Sequence, residues 1–419
     1  VAPPVQQQFV PVTATTNLTG RSIFSGVPGG AIVRNASLCV GYGDSHIEGS
    51  TLQGTPSDWR TLKNYPIGSS IYARVVWHSL GRLISVGNYG IGGQLTSQIL
   101  ARLPEVVATI AGTAIVCAGT NDARYAVPFS DTVSNMTLMF QGLRDNGIEP
   151  VVIELPPLGT PPDTDAIRNS QDLINAWLRK YCRDNDIAFV GINHLIMDPA
   201  NRQWLAGMNH NSDGVHLSSV AADVCGKAVA DAVMHRMPSV LNPLVTSNID
   251  ATNMVANALG LTDSTADGIP DSWSTLGAPT GGTAVHTLEA VSGWPGKSIC
   301  IEQQANTNVR QLYQAFNTSQ GGGWAVGDIL RCGIRWKVTG LGAPGGFAQL
   351  QFVGSTTGQT LYRLFSTHET TGDQLSWLPD VAIPEGTTIV NFYIGITGGT
   401  GKVFFNAPTL INATRLGIV

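Results

Sequence analysis

Four short polar runs in this chain carry residue types that can do acyl chemistry. The first is GYGDSHIEG at 41–49, in which Ser45 follows an apolar run directly. A serine hydroxyl is a weak nucleophile and needs a positioned base. The second is NYGIGGQLT at 88–96, whose glycines let a backbone N–H come close to a ligand. The third is AGTND at 118–122, where Asn121 offers an amide donor to a developing oxyanion. The fourth is SDGVHLS at 212–218. One turn there can present both Asp213 and His216, so that the carboxylate holds the imidazole's tautomer and stabilises its charged form. Each run alone has an ordinary structural explanation: a capping serine, a β–α turn, a capping asparagine, and a turn with a surface histidine.

What gives the four runs weight is the elements before them. Residues 36–43, 84–88, 113–119, 150–156 and 187–192 read as apolar strands. Helical patterns lie between them at 71–83, from 96, near 130–145, around Leu173, Ile174, Trp177, Leu178 and Tyr181, and from Ser218 to Arg236. Ser218 or Ser219 is the expected N-cap of the last helix. Strand–helix alternation predicts a parallel sheet with helices on both faces, and ligands sit at the carboxyl ends of such strands. All four runs fall at or just beyond those ends.

In this order, the runs resemble the SGNH (GDSL-type) serine hydrolase family. Its four blocks correspond to Gly43-Asp44-Ser45, Gly93, Gly119-Thr120-Asn121-Asp122 and Asp213-Gly214-Val215-His216. The resemblance covers residues 36–236, about half the chain. It implies a flavodoxin-like three-layer α/β fold. It also implies Ser45 as nucleophile, His216 as general base and Asp213 as its orienting partner. The implied oxyanion hole is the Ser45 N–H, the Gly93 N–H and the Asn121 side chain; no metal or other cofactor is implied. Gly93 is preferred over Gly90 and Gly92 because its spacing from Asn88 fits the family loop. Two positions depart from the pattern: His46 stands where the name-giving motif has Leu, and Gln94 where a carboxylate or Asn is frequent.

Other residues carry weaker signals. His46 is expected to make a contact behind the nucleophile, and Asp122 to brace its loop. His194 and His210 read as loop residues, with His210 a candidate to line the cleft; Arg124, Tyr125 and Trp204 are candidates for its rim. DSTADGIPD at 263–271 has an EF-hand start, but Ser274 stands at its twelfth position, so a turn is expected. The six cysteines include no CxxC pair, and their pairing is open. Cys39 and Cys117 sit in apolar runs as small hydrophobes. Sequons occur at Asn17, Asn35, Asn135, Asn317 and Asn412.

After Pro238 the helical periods vanish. Leu330, Cys332, Ile334, Trp336 and Val338 alternate with Arg331, Arg335 and Lys337. Ala348, Leu350 and Phe352 alternate with Gln349 and Gln351, and Val390, Phe392, Ile394 and Ile396 with Asn391 and Tyr393. This predicts an all-β sandwich. It resembles jelly-roll carbohydrate-binding modules, above all in the closing GKVFFNAPTLINAT. Trp273, Trp294, Trp324, Trp377 and Tyr362 are then candidates for stacking on sugars, with core packing expected for most, and Trp336 belongs to the core. The domains expected are an arm at 1–34, the hydrolase at 35–237 and the sandwich at 245–419.

Composition bounds the function. The net charge of −5 supplies no basic field for nucleic acid, and no apolar run reaches the ~18 residues of a membrane span. The start at Val1, without a signal-peptide pattern, suggests a mature product, a trimmed chain or a fragment. The expectation is a serine esterase removing O-acetyl groups from a polysaccharide, secreted or carried on a virion tail. The alternatives are a lipid or aryl esterase, and a receptor-binding phage tail fibre or tailspike component, with or without deacetylase activity, for which a homotrimer is one expected assembly.

Overall fold

The structure is a computed structural model. It describes residues 34–49, 70–159, 164–210, 213–237 and 244–417, apart from gaps at 277–283, 304–309, 318–322, 340–344, 357, 359, 364–372, 379 and 398–400. Most of the expected arm, the Asn17 sequon and most of the expected domain boundary lie outside the described residues, as does the Tyr362 side chain.

The first half holds five parallel strands: β1 (Asn35–Gly43), β2 (Ile84–Gly90), β3 (Ala111–Cys117), β4 (Glu149–Ile153) and β5 (Ala188–Val190). The helices are α1 (Ser45–Glu48), α2 (Ile71–His78), α3 (Thr96–Ala101), α4 (Leu103–Val107), α5 (Thr120–Arg124), α6 (Phe129–Asp145), α7 (Asp165–Asp184), α8 (Asn193–Ile196) and α9 (Ser219–Val233). A small hairpin, β6 (Met197–Asp198) and β7 (Gln203–Trp204), precedes the Asp213 loop. The strand order β2-β1-β3-β4-β5 is flavodoxin-like. All of β3 is buried, as a sheet covered on both faces requires. The helices α3 to α7 pack on one another, while α9 returns to pack on α2. The order reverses between β1 and β3, which opens a crevice at their carboxyl ends.

Local sequence explains most element ends. Ser218 caps α9, its Oγ accepting the Ala221 N–H at 3.1 Å. The expected run to Arg236 tightens into a 3₁₀ turn at Met234–Arg236. In α7, Ile174, Leu178 and Cys182 face the core, while Leu173, one position off that stripe, is half exposed.

The second half is a sandwich of two antiparallel sheets. One sheet contains β9 (Ala284–Glu289), β10 (Ser298–Gln303), β12 (Ile329–Thr339), β15 (Gln374–Trp377), β16 (Val381–Ala382) and β18 (Gly401–Asn412). The other contains β8 (Ser274–Leu276), β11 (Arg310–Asn317), β13 (Gly345–Val353), β14 (Thr360–Arg363) and β17 (Ile389–Thr397). Leu330, Cys332, Ile334, Trp336 and Val338 are buried together, as their alternation predicts. Arg331 of the opposite face is buried as well, held by Asp380 through two 2.7 Å bonds. The aromatic candidates for sugar stacking prove to be packed: Trp273 and Trp294 are 7 % exposed, Trp377 5 % and Trp324 4 %. The Trp294 N–H is engaged by Asp373 and the Trp324 N–H by the Phe316 carbonyl.

The two halves meet along the edge strand β15. Gln374 donates to Asp223 of α9 at 2.7 Å, and the same carboxylate oxygen accepts from Arg74 at 2.8 Å and contacts His78 at 3.0 Å. Trp77 of α2 meets Trp336 edge to face at 5.1 Å. Leu375 and Trp377 pack on Leu38 and Ile84. All six cysteines are free and buried. Burial pushes the Cys39, Cys182 and Cys300 thiols up to about 12. The 263–271 run is a turn: Asp263 accepts the Asp267 and Gly268 N–H groups, and Asp271 accepts Ser264.

Candidate active site

The nucleophile loop is fixed by contacts that leave little freedom. Gly43 ends β1 against β3, where a Cβ would lie 1.9 Å from the Cys117 carbonyl oxygen. Only a residue without a side chain fits there. Asp44 then caps α1, accepting the His46 N–H at 3.0 Å, and Ser45 becomes the first helical residue. A first-turn N–H has no intrahelical acceptor, so the Ser45 N–H stays available. Ser70, the cap of α2, donates to the Ile47 carbonyl and ties α2 to this turn.

The expected base, His216, and its partner Asp213 come from the far end of the domain. Asp213 Oδ1 accepts the Val215 N–H at 2.8 Å, the His216 N–H at 2.9 Å and the Asn209 amide at 3.1 Å. Its other oxygen contacts His216 Nδ1 at 2.7 Å. Burial acts to raise the Asp213 carboxyl, but the N–H bonds from His216 and Val215 and the imidazole outweigh it, and its pKa lies below the ordinary value. An ionised Asp213 fixes the tautomer with the proton on Nδ1, which leaves Nε2 as acceptor. His216 Nε2 lies 2.9 Å from Ser45 Oγ, across 171 residues of chain. The three residues expected to act together are thus hydrogen-bonded in series.

The donors expected to form the oxyanion hole are the Ser45 N–H, the Gly93 N–H and the Asn121 amide. Of the three glycines at and after the end of β2, Gly90 donates to Asn88 and Gly92 to Glu48, whereas the Gly93 N–H has no partner among the described residues. Gly93 has φ +78°, a conformation that favours glycine. Asn121 is buried, and its amide spends one hydrogen on the Gln94 carbonyl at 3.0 Å, leaving the other. Gln94 in turn accepts from Arg102 at 2.8 Å. Asp122 takes the Thr96 N–H at 2.9 Å and the Thr96 and Thr132 hydroxyls, so it braces the loop.

The remaining candidates divide. His210 lies in the catalytic loop, its N–H on the His216 carbonyl at 2.8 Å, and His194 lies apart in α8. Trp204 donates to the Gly214 carbonyl at 3.2 Å. It lines a cleft of about 220 Å³ with Gly159, Gly207, Asn209 and Gly214. His46 packs 5.7 Å from the His216 ring, centroid to centroid, and makes no side-chain hydrogen bond among the described residues. Asn209, which orders both Asp213 and the His216 carbonyl, has no sequence signal, since its role depends on the bridge between Asn209 and Leu217.

Residues 42–223 match the family described as GDSL-like Lipase/Acylhydrolase. The α/β domain belongs to that family. Among solved structures, this GDSL-like domain is similar to a putative acylhydrolase from Bacteroides fragilis, 23 % identical, covering 49 % of this chain and 90 % of that one with a TM-score of 0.38. It is also similar to the acetylxylan esterase Axe2 from Geobacillus stearothermophilus, at 15 %, 48 % and 96 % with a TM-score of 0.37. A further similarity is to the enzymatically active domain of tailspike protein 4 from bacteriophage CBA120, at 11 %, 38 % and 21 % with a TM-score of 0.29. Among curated proteins, an N-acylneuraminate cytidylyltransferase from Streptococcus agalactiae serotype V is 26 % identical over 143 residues, 34 % of this chain and 33 % of that protein. The chain spans about a third of the length of the curated relatives it matches.

Proposed function

We propose that this GDSL-like acylhydrolase is a serine esterase that removes O-acetyl groups from a polysaccharide. The observation that carries the reading is the series Ser45 Oγ, His216 Nε2, His216 Nδ1, Asp213 Oδ2, with contacts of 2.9 and 2.7 Å. Ser45 attacks the ester carbonyl while its proton passes to His216 Nε2. Asp213 stabilises the imidazolium without taking its proton. The tetrahedral oxyanion receives the Ser45 and Gly93 N–H groups and the free Asn121 amide hydrogen. Collapse breaks the ester bond, His216 gives its proton to the leaving alcohol, and the acyl group remains on Ser45. Water, deprotonated by His216, then releases acetate and restores the serine.

The substrate class rests on the surroundings of Ser45 and on the appended sandwich. The polar groups near Ser45 include the buried His46, packed on His216, and Arg124, whose charge reaches His46; we read them as suited to a short acyl group on a hydroxylated polymer rather than to a long acyl chain. The test is acetate release from a panel of O-acetylated plant and bacterial glycans by wild type and Ser45→Ala. Release by wild type, reduced at least about 10³-fold in the folded variant, is expected. Comparable release by Ser45→Ala would remove the nucleophile assignment. Cleavage of aryl esters with no glycan attacked would keep the esterase and discard the polysaccharide.

A further inference from the structure

Buried polar atoms without partners gather around Ser45. Both ring nitrogens of His46, the Arg124 Nε, the Thr120 hydroxyl and one Asp44 oxygen are buried and unbonded. Such atoms are rare in folded proteins, and each costs roughly 1–3 kcal/mol. Five of the thirteen such atoms among the described residues fall in this one cluster, the others being scattered, and a ligand could use the bonding capacity held there.

Arg124 is the charged member of this group. It ends α5, three residues after Asn121, and its guanidinium lies 5.5 Å from the ring of exposed Tyr125. Among the described residues it has no hydrogen bond and no ion pair. Other arginines of the domain are engaged: Arg34 and Arg102 by backbone carbonyls, Arg74 by Asp223, Arg179 by Glu154 and Arg202 by Asp172. Four acids lie near the site, none of them ion-paired with Arg124: Asp122 is held by Thr96 and Thr132, Asp213 by His216, Glu48 by the Gly92 N–H, and Asp44 by the His46 N–H through one oxygen. His46 is 3 % exposed. Burial holds it down to about 3, with the His216 and Arg124 charges adding to the effect. It is therefore a neutral ring with one donor and one acceptor.

We propose that Arg124, with His46 beside it, forms a specificity subsite for a sugar carrying a carboxylate. The inference rests on the esterase reading and adds the substrate's charge to it. A guanidinium presents paired N–H donors that match a carboxylate, and a neutral imidazole serves a sugar hydroxyl. The acid source could be a uronic acid or a sialic-type sugar, and the chemistry of recognition is the same.

The test is inhibition of nitrophenyl acetate hydrolysis by an oligogalacturonate, a sialyl-oligosaccharide and a neutral oligosaccharide of matched length. For wild type, one acidic sugar should inhibit competitively at a concentration at least about tenfold below the neutral one, and added salt should weaken it. Which acid inhibits identifies the source. Arg124→Gln should abolish the preference. Equal inhibition by charged and neutral sugars, or a preference that survives Arg124→Gln, would overturn the subsite. Failure of wild type to cleave the aryl ester would remove the esterase reading instead. Calorimetric titration of the same sugars into wild type and Arg124→Gln would then decide the subsite on binding alone.

Discussion

Asn121 spends one amide hydrogen on the Gln94 carbonyl, and on the proposed mechanism the other serves the oxyanion. Asn121→Ala should lower kcat about 10²–10³-fold with little change in KM, because the lost bond strengthens only as charge develops. A variant that raised KM alone would place Asn121 in ground-state binding. On either side of Ser45, burial acts on Asp44 and His46 in opposite senses. It pushes the Asp44 carboxyl up to about 7, against the His46 N–H bond and with help from the nearby Asp122 charge. Between the ordinary carboxylate value and about 7, the folded chain keeps a proton that the unfolded chain has lost, so stability falls as pH rises through that window. His46, pushed down to about 3, does the reverse: below its ordinary value the unfolded chain gains a proton that the folded one refuses. Asp44→Asn should therefore stabilise the protein more at about pH 8 than at about pH 5, by about 2–3 kcal/mol. Thermal melts at the two pH values check this, and an equal shift at both would sink it. Ser45, Asp213 and His216 were legible in the sequence because acyl chemistry restricts residue type and spacing. The unbonded state of His46 was not, since it depends on which atoms the fold fails to bring near.

Elements were legible in proportion to their length. β1 and β3 are buried on both faces and read as unbroken apolar runs, and α6 and α7 are long enough to show a period. α1 and α5, with four and five residues, hold no complete amphipathic pattern, yet they carry Ser45 and Asn121. The β6–β7 hairpin is invisible for the same reason: two residues a side cannot alternate. The close approach of β1 and β3 at Gly43 has its own test. Gly43→Ala should destabilise by about 1–3 kcal/mol or more, because the obstacle is backbone and cannot rotate away. An unchanged melting temperature would mean that the strands can part there without cost.

At the scale of the molecule, the sandwich supports the hydrolase domain. Arg74 and Asp223 are almost wholly buried where α2 and α9 meet Gln374. Both helices begin at the site, α2 tied to the serine turn by Ser70 and α9 following His216. Asp223→Ala leaves Arg74 buried without that partner, and should cost about 3–5 kcal/mol, read by denaturant unfolding. A loss below about 1 kcal/mol would show the network to be dispensable. The strand alternation of the second half was readable, but this contact was not, since Gln374 and Trp377 look like any residues of a strand. The contact also gives the molecule a direction. Leu38 and Ile84, which meet the sandwich, stand near the amino ends of β1 and β2, whereas Ser45 lies past the carboxyl end of β1. At about 3.3 Å per residue, Leu38 and Gly43 are about 17 Å apart. Fastening the protein to any support through its sandwich would therefore leave the hydrolytic pole facing outward, able to sweep across a layer of substrate instead of gripping the strand that anchors it.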